Sequence, residues 1–128
     1  MPPKRSVTLT EAELRLMDVL WAKGASTVHQ ILEFLPPKPV LAYNSVLTTI
    51  RILEKKGYVQ HVKDGRAHVY MPLIGREDAT RFEVRNLVSR FFKNSHELLV
   101  LNLLEDKSIN AEELKRLSEL LQDGAESR

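Results

Sequence analysis

Residues 40–71 restrict the fold more than any other stretch, because an amphipathic helix there runs straight into a short β-hairpin. The helix is predicted over roughly Ala42 to Lys56 and ends at Gly57. At about 100° per residue, Val46, Ile50 and Leu53 fall within an arc of about 60°. Asn44, Thr48, Arg51 and Lys55 cluster on the opposite side, flanked by Ser45 and Leu47. Ala42 is a poor N-cap, so Asn44 is a second candidate for the helix start. The hairpin has its turn signal at Asp64-Gly65, which suits a two-residue type I′ loop. That loop would pair Lys63 with Arg66, Val62 with Ala67, His61 with His68 and Gln60 with Val69. Period-two alternation then places His61, Lys63, Arg66 and His68 on one face, with Val62, Ala67, Val69 and Met71 facing a core. Like charges paired at Lys63 and Arg66 repel. Such a pair adds nothing to stability but suits contact with a polyanion.

The segments upstream read as two further helices. Residues 1–8 form a basic arm. Thr10 and Glu13 have the spacing of a capping box for a helix from Glu11 to Lys23, stopped by Gly24. Leu14, Met17, Val19, Leu20 and Trp21 give that helix a broad apolar face. Ser26 or Thr27 caps the next helix, where Val28, Ile31, Leu32 and Leu35 follow i, i+3, i+4, i+7 spacing. Pro36-Pro37-Lys38-Pro39 ends it.

Downstream, Pro72 to Gly75 is the expected domain boundary. A helix from about Arg76 to Lys93 carries Ala79, Phe82, Leu87 and Phe91. A short helix starts near Ser95 and includes Leu98 to Leu104. Asn110 and Glu113 cap a last helix with an apolar stripe of Leu114, Leu117, Leu120 and Leu121. The expected organisation is an arm (1–8), a first domain (9–74), a helical region (75–122) and a polar tail (123–128). The helical region is too short to bury much core alone. Its apolar residues Phe82, Leu87, Phe91, Leu98, Leu101, Leu114, Leu117 and Leu121 are expected to pack against a second copy of the chain.

Charge and composition narrow the function. The net charge of the 128 residues is only +2, yet residues 38–76 hold seven Lys/Arg against two Asp/Glu. That concentration favours a polyanionic partner. There is no cysteine, which excludes disulfides and thiolate chemistry. No apolar run approaches the roughly 20 residues that span a bilayer, and no signal peptide is evident, so the expected location is cytoplasmic and off the membrane. No phosphate loop, HExxH or GxSxG is present, and no enzyme activity or cofactor is expected. His61 and His68 could share a metal ion, but the hairpin face offers no third ligand. His29 and His96 are isolated, and no metal site is expected.

Helix, loop, helix and hairpin in this order predict a mainly α fold with one small hairpin: an N-terminal winged helix-turn-helix and a C-terminal helical dimerisation region. The second helix of the motif would enter a DNA major groove. Asn44 could pair with adenine, Arg51 with guanine or phosphate, and Thr48 with either phosphate or base. Lys55, Lys63 and Arg66 suit phosphates, which position the protein without selecting sequence. Tyr43, Ser45, Leu47 and His68 complete the expected DNA face. The partner would be double-stranded operator DNA, bound by a homodimer at a palindrome. Two other readings are open: a winged-helix module for protein interaction without DNA, and a DNA-binding regulator controlled by a small effector.

The assembled residues resemble the penicillinase-repressor family (the BlaI/MecI/CopY group) over residues 7–122. The resemblance is carried by Leu9-Thr10-Glu11-Ala12-Glu13, Val19-Leu20-Trp21 and Leu41-Ala42-Tyr43-Asn44-Ser45-Val46. Leu53 to Val59, Arg66 to Tyr70 and Leu98 to Leu103 add to it. It implies a homodimeric transcriptional repressor. It also implies inactivation by a regulatory protease or sensor-transducer that cuts after an Asn in the second part. The matching bond is Asn102-Leu103, where the family commonly has Phe after the Asn. Asn102 could equally be a plain polar residue of a helix. Copper-sensing relatives use a cysteine cluster that this chain lacks.

Overall fold

The computed structural model describes residues 8–126. It divides into two compact units, Met1–Asn86 and Leu87–Arg128. The expected arm at residues 1–8 lies almost wholly outside the described residues.

The first unit is built from three helices, a hairpin and the beginning of a fourth helix. Helix α1 (Glu11–Lys23) has the expected capping box. Thr10 Oγ1 accepts from the Glu13 amide at 3.1 Å, and Glu13 Oε1 accepts from the Thr10 amide at 2.8 Å. Helix α2 (Val28–Phe34) is capped by Thr27, which forms a second box with Gln30. Ser26, the alternative cap, is instead buried and bridges to Tyr70 of the hairpin. Helix α3 (Tyr43–Lys56) starts at Ala42, so Asn44 is a helical residue and not the cap. Gly57 ends α3 at φ 86°, the left-handed position that glycine occupies without Cβ strain.

Val46, Ile50 and Leu53 of α3 are buried as their spacing requires. They meet Leu16, Met17 and Leu20 of α1, Ile31 of α2, and Tyr58, Val59 and Tyr70 around the hairpin. Each buried aliphatic side chain of this kind contributes about 1.5–3 kcal/mol. Leu16 enters the core, whereas Leu14 is partly exposed.

Strands β1 (Val59–Asp64) and β2 (Ala67–Pro72) pair antiparallel, with a register that differs from the expected one. Asp64 opposes Ala67, Lys63 opposes His68, and His61 opposes Tyr70. The two-residue loop is therefore Gly65-Arg66, one position later than the Asp64-Gly65 signal suggests. Gly65 has φ 63° while Arg66 is not among the positive-φ residues, the sign pattern of a type II′ turn. The faces also differ. Val59 and Tyr70 are buried, so the face that carries His61, Lys63 and His68 meets the core at its root. Val62 and Ala67, expected inside, are exposed, with Val62 at 50%.

Beyond the hairpin, Trp21 Nε1 donates to the Ile74 carbonyl at 2.9 Å. Helix α4 (Arg76–Phe91) then buries Ala79 and packs Phe82 against the same core. Glu83 Oε1 accepts from the Leu9 amide at 2.7 Å. These contacts carry the first unit past the Pro72–Gly75 boundary read from sequence, through Asn86.

The second unit holds the end of α4, helix α5 (His96–Leu104) and helix α6 (Ala111–Glu126). Lys93 and Asn94, both at positive φ, turn the chain from α4 into α5. Ser95 caps α5, and Asn110 caps α6 by accepting from the Glu113 amide at 2.8 Å. Helix α6 continues into the segment expected as a tail. No residue of α5 is buried.

Candidate nucleic-acid interface

Helix α3 presents a polar surface because its apolar stripe is consumed by the core. Asn44, Ser45, Thr48, Arg51 and Lys55 are all exposed, and Tyr43 is 41% exposed. Leu47 is partly buried against the core, at the margin of this surface. Ser45 has a second, local role, since its carbonyl accepts from Thr49 Oγ1 at 2.8 Å.

The hairpin stands beside the helix and is tied to it. His61 Nδ1 lies 2.5 Å from Glu54 Oε2. The His61 and His68 rings stack with centroids 4.4 Å apart and planes at 14°. Nearly parallel rings meet through their faces and do not converge on a shared ion. Among the described residues, no group of three or more His, Cys, Asp or Glu could hold a metal.

A concave cleft of about 400 Å³ separates α3 and α2 from the hairpin. Tyr43, Leu47 and Arg51 line it from α3, spaced i, i+4, i+8 on one helical edge. Arg66 and His68 line it from the hairpin. The described residues place two arginines and no carboxylate on this lining. Tyr70 forms its floor. Burial pushes the Tyr70 phenol up and the Glu54 carboxylate adds to this, while Arg51 opposes both. The phenol therefore stays a neutral hydrogen-bonding group at physiological pH.

Of the residues singled out from sequence, Tyr43, Leu47, Arg51, Arg66 and His68 come together in the cleft. Asn44, Thr48 and Lys55 occupy the exposed helix surface outside its lining. Lys63 is exposed on the hairpin opposite His68, and not opposite Arg66. Sequence reasoning missed His29, Tyr70 and Glu54. His29 looked isolated because the residues that share the cleft with it from α3 and the hairpin begin only at Tyr43 in the chain. Tyr70 and Glu54 become visible only once the hairpin register is known.

The residues expected to pair two copies divide differently. Phe82 belongs to the core of the first unit. Leu87, Phe91, Leu98, Leu101 and Leu121 are exposed in the second, Phe91 at 68%. Leu114 and Leu117 are half-buried. Asn102 and Leu103 are exposed within α5, and Asn102 borders a small cavity with Phe92 and Leu98.

A helix with a spare polar face, a preceding helix packed across it and a basic wing beside it define a winged helix-turn-helix of the DNA-binding regulator class. Comparison with known proteins takes this further. The penicillinase repressor family model matches residues 9–123. The chain is 28% identical over 120 residues to the penicillinase repressor of Bacillus licheniformis, covering 94% of each chain. It is 24% identical over 117 residues to the methicillin resistance regulatory protein MecI of Staphylococcus aureus, covering 91% of this chain and 95% of that one. The solution structure of the DNA-binding domain of the repressor BlaI superposes with a TM-score of 0.51 at 28% identity. That match covers 59% of this chain and 93% of the domain. The chain belongs to the penicillinase repressor family.

Proposed function

We propose that the protein is a homodimeric transcriptional repressor that occupies a palindromic operator and blocks transcription sterically. The observation that carries this is the joined polar face: the α3 surface and the wing enclose a cleft to which, among the described residues, Arg51 and Arg66 bring formal positive charge and no carboxylate is added. Arg51 and Asn44 are the base-reading residues, with Thr48 beside them, and Lys55, Lys63 and Arg66 hold phosphates. The protein acts in the cytoplasm, where its DNA lies.

The dimer rests on the second unit. Phe91, Leu98, Leu101 and Leu121 are large apolar side chains left exposed in one chain, the kind of surface through which proteins associate. A two-fold pair would set two recognition helices on successive half-sites. Release would follow cleavage between Asn102 and Leu103. That bond lies inside α5, so a protease needs the helix to open locally.

Genome-wide mapping of sites bound by the intact chain tests the reading. The expected result is a two-fold symmetric motif upstream of a small set of genes. Binding that shows no sequence preference, or no duplex binding at low salt, would overturn it. The latter result would favour a protein-interaction module.

A further inference from the structure

Of the two histidines that line the cleft, His29 and His68, only His29 is left unused by the DNA face above. It is exposed at the second position of α2, and its ring lies 4.8 Å from the Tyr43 ring, tilted by 38°. That contact turns it toward the N-terminal end of α3, where the helix would meet base edges. Across the same cleft stand Arg66 and His68 of the hairpin, with Arg51 along the α3 wall and Tyr70 at the floor. Thr27 is the cleft's other polar residue from the α2 side, and its side chain is occupied in capping. Among the described residues no carboxylate pairs with His29, whereas His61 is engaged by Glu54. A cleft walled by α2 on one side and Arg66 on the other fits a backbone strand that passes between them.

We propose that His29 is a further DNA-contacting residue, which holds a backbone phosphate from the α2 wall while Arg66 holds the strand from the wing. The inference rests on the DNA-binding reading above. A phosphate contact of this kind positions the protein and carries no base information. An imidazolium adds a counterion-releasing charge that neutral imidazole lacks. The groups facing it that also respond to pH or carry charge are Tyr43, Arg51, Arg66, His68 and Tyr70, so the His29 share must be isolated by substitution.

The test measures affinity of the full chain for one mixed-sequence duplex over a range of salt, at about pH 6 and about pH 8. His29→Ala and His29→Arg are compared with the natural chain and with Arg66→Ala. His29→Ala should bind about fivefold more weakly at the lower pH. The difference should shrink at the higher pH. His29→Arg should bind more tightly at the higher pH, with a log–log salt slope steeper by about one unit. If Arg66→Ala flattens the slope while both His29 variants behave as the natural chain, the His29 contact is wrong and the DNA reading stands. If the natural chain binds no duplex, both are wrong.

Discussion

Lys56 Nζ donates to Glu13 Oε1 at 2.7 Å, which links the last turn of the recognition helix to the first turn of α1. The Glu13 side chain is only 5% exposed and also caps Thr10 through the same oxygen. Burial pushes its carboxyl up, but the Lys56 hydrogen bond and the Thr10 contacts outweigh burial, and the net shift is downward from 4.5. A depressed carboxylate contributes stability above its unfolded value that is lost as pH falls through the folded one. Acid unfolding should therefore steepen below about pH 4.5. Glu13→Gln should weaken this acid dependence. Lys56→Ala should destabilise by about 3 kcal/mol, because it leaves a buried carboxylate unpaired. Denaturant titrations of the three proteins at several pH values check both statements.

Gly65 occupies the first loop position of the hairpin at φ 63°, and nothing lies within 4 Å of a Cβ built there. The cost of Gly65→Ala is therefore backbone strain without a clash, about 1–2 kcal/mol. Because the loop sets where Arg66 points, the substitution should also lower DNA affinity. Thermal unfolding together with a binding titration separates the two effects.

The caps and the helix stripes were legible in the sequence because their signals are local. Thr10 with Glu13, Asn110 with Glu113, and Gly57 after α3 each bring donor and acceptor, or a free backbone, within one turn. The hairpin register was not legible, because Asp64-Gly65 and Gly65-Arg66 are both acceptable loops. The choice is made by Tyr70, whose amide and carbonyl both pair with Ser26, at 2.8 and 2.9 Å. That fixes β2 from outside the hairpin. The core face was misread for a related reason. Val62, Val69 and Met71 look like an inward stripe, but the larger Tyr70 ring, with Val59 beside it, fills the space beneath α3. In the candidate site, residues on α3 could be found from its 3.6-residue period. Those contributed by α2 and by the base of β2 depend on long-range packing.

Lys63 and Arg66 should act as separate phosphate contacts, since the observed register leaves them unpaired. Lys63→Ala and Arg66→Ala should each flatten the salt slope of DNA binding by about one unit. The double substitution should flatten it by about two. Neither should alter which sequence is preferred. A change in preference in a site-selection experiment would move Arg66 from phosphate contact to base reading.

Helix α5 should decide whether two half-sites are held together. Its leucines have no buried position within one chain, so their free energy is available only to a partner. Leu98→Asp or Leu101→Asp should therefore give a monomer by sedimentation, with little loss of stability in the first unit, whose core lies elsewhere. A monomer engages one half-site, and a linked pair gains affinity through effective concentration without any new contact, by about 10²–10⁴-fold. Operator affinity should fall by that order, whereas affinity for an isolated half-site should be unchanged. A chain ended after Asn102 loses Leu103, Leu104 and all of α6, and should behave like the Asp variants. Full operator affinity in the shortened chain would show that dimer contacts lie before Asn102 and that cleavage there is no release mechanism.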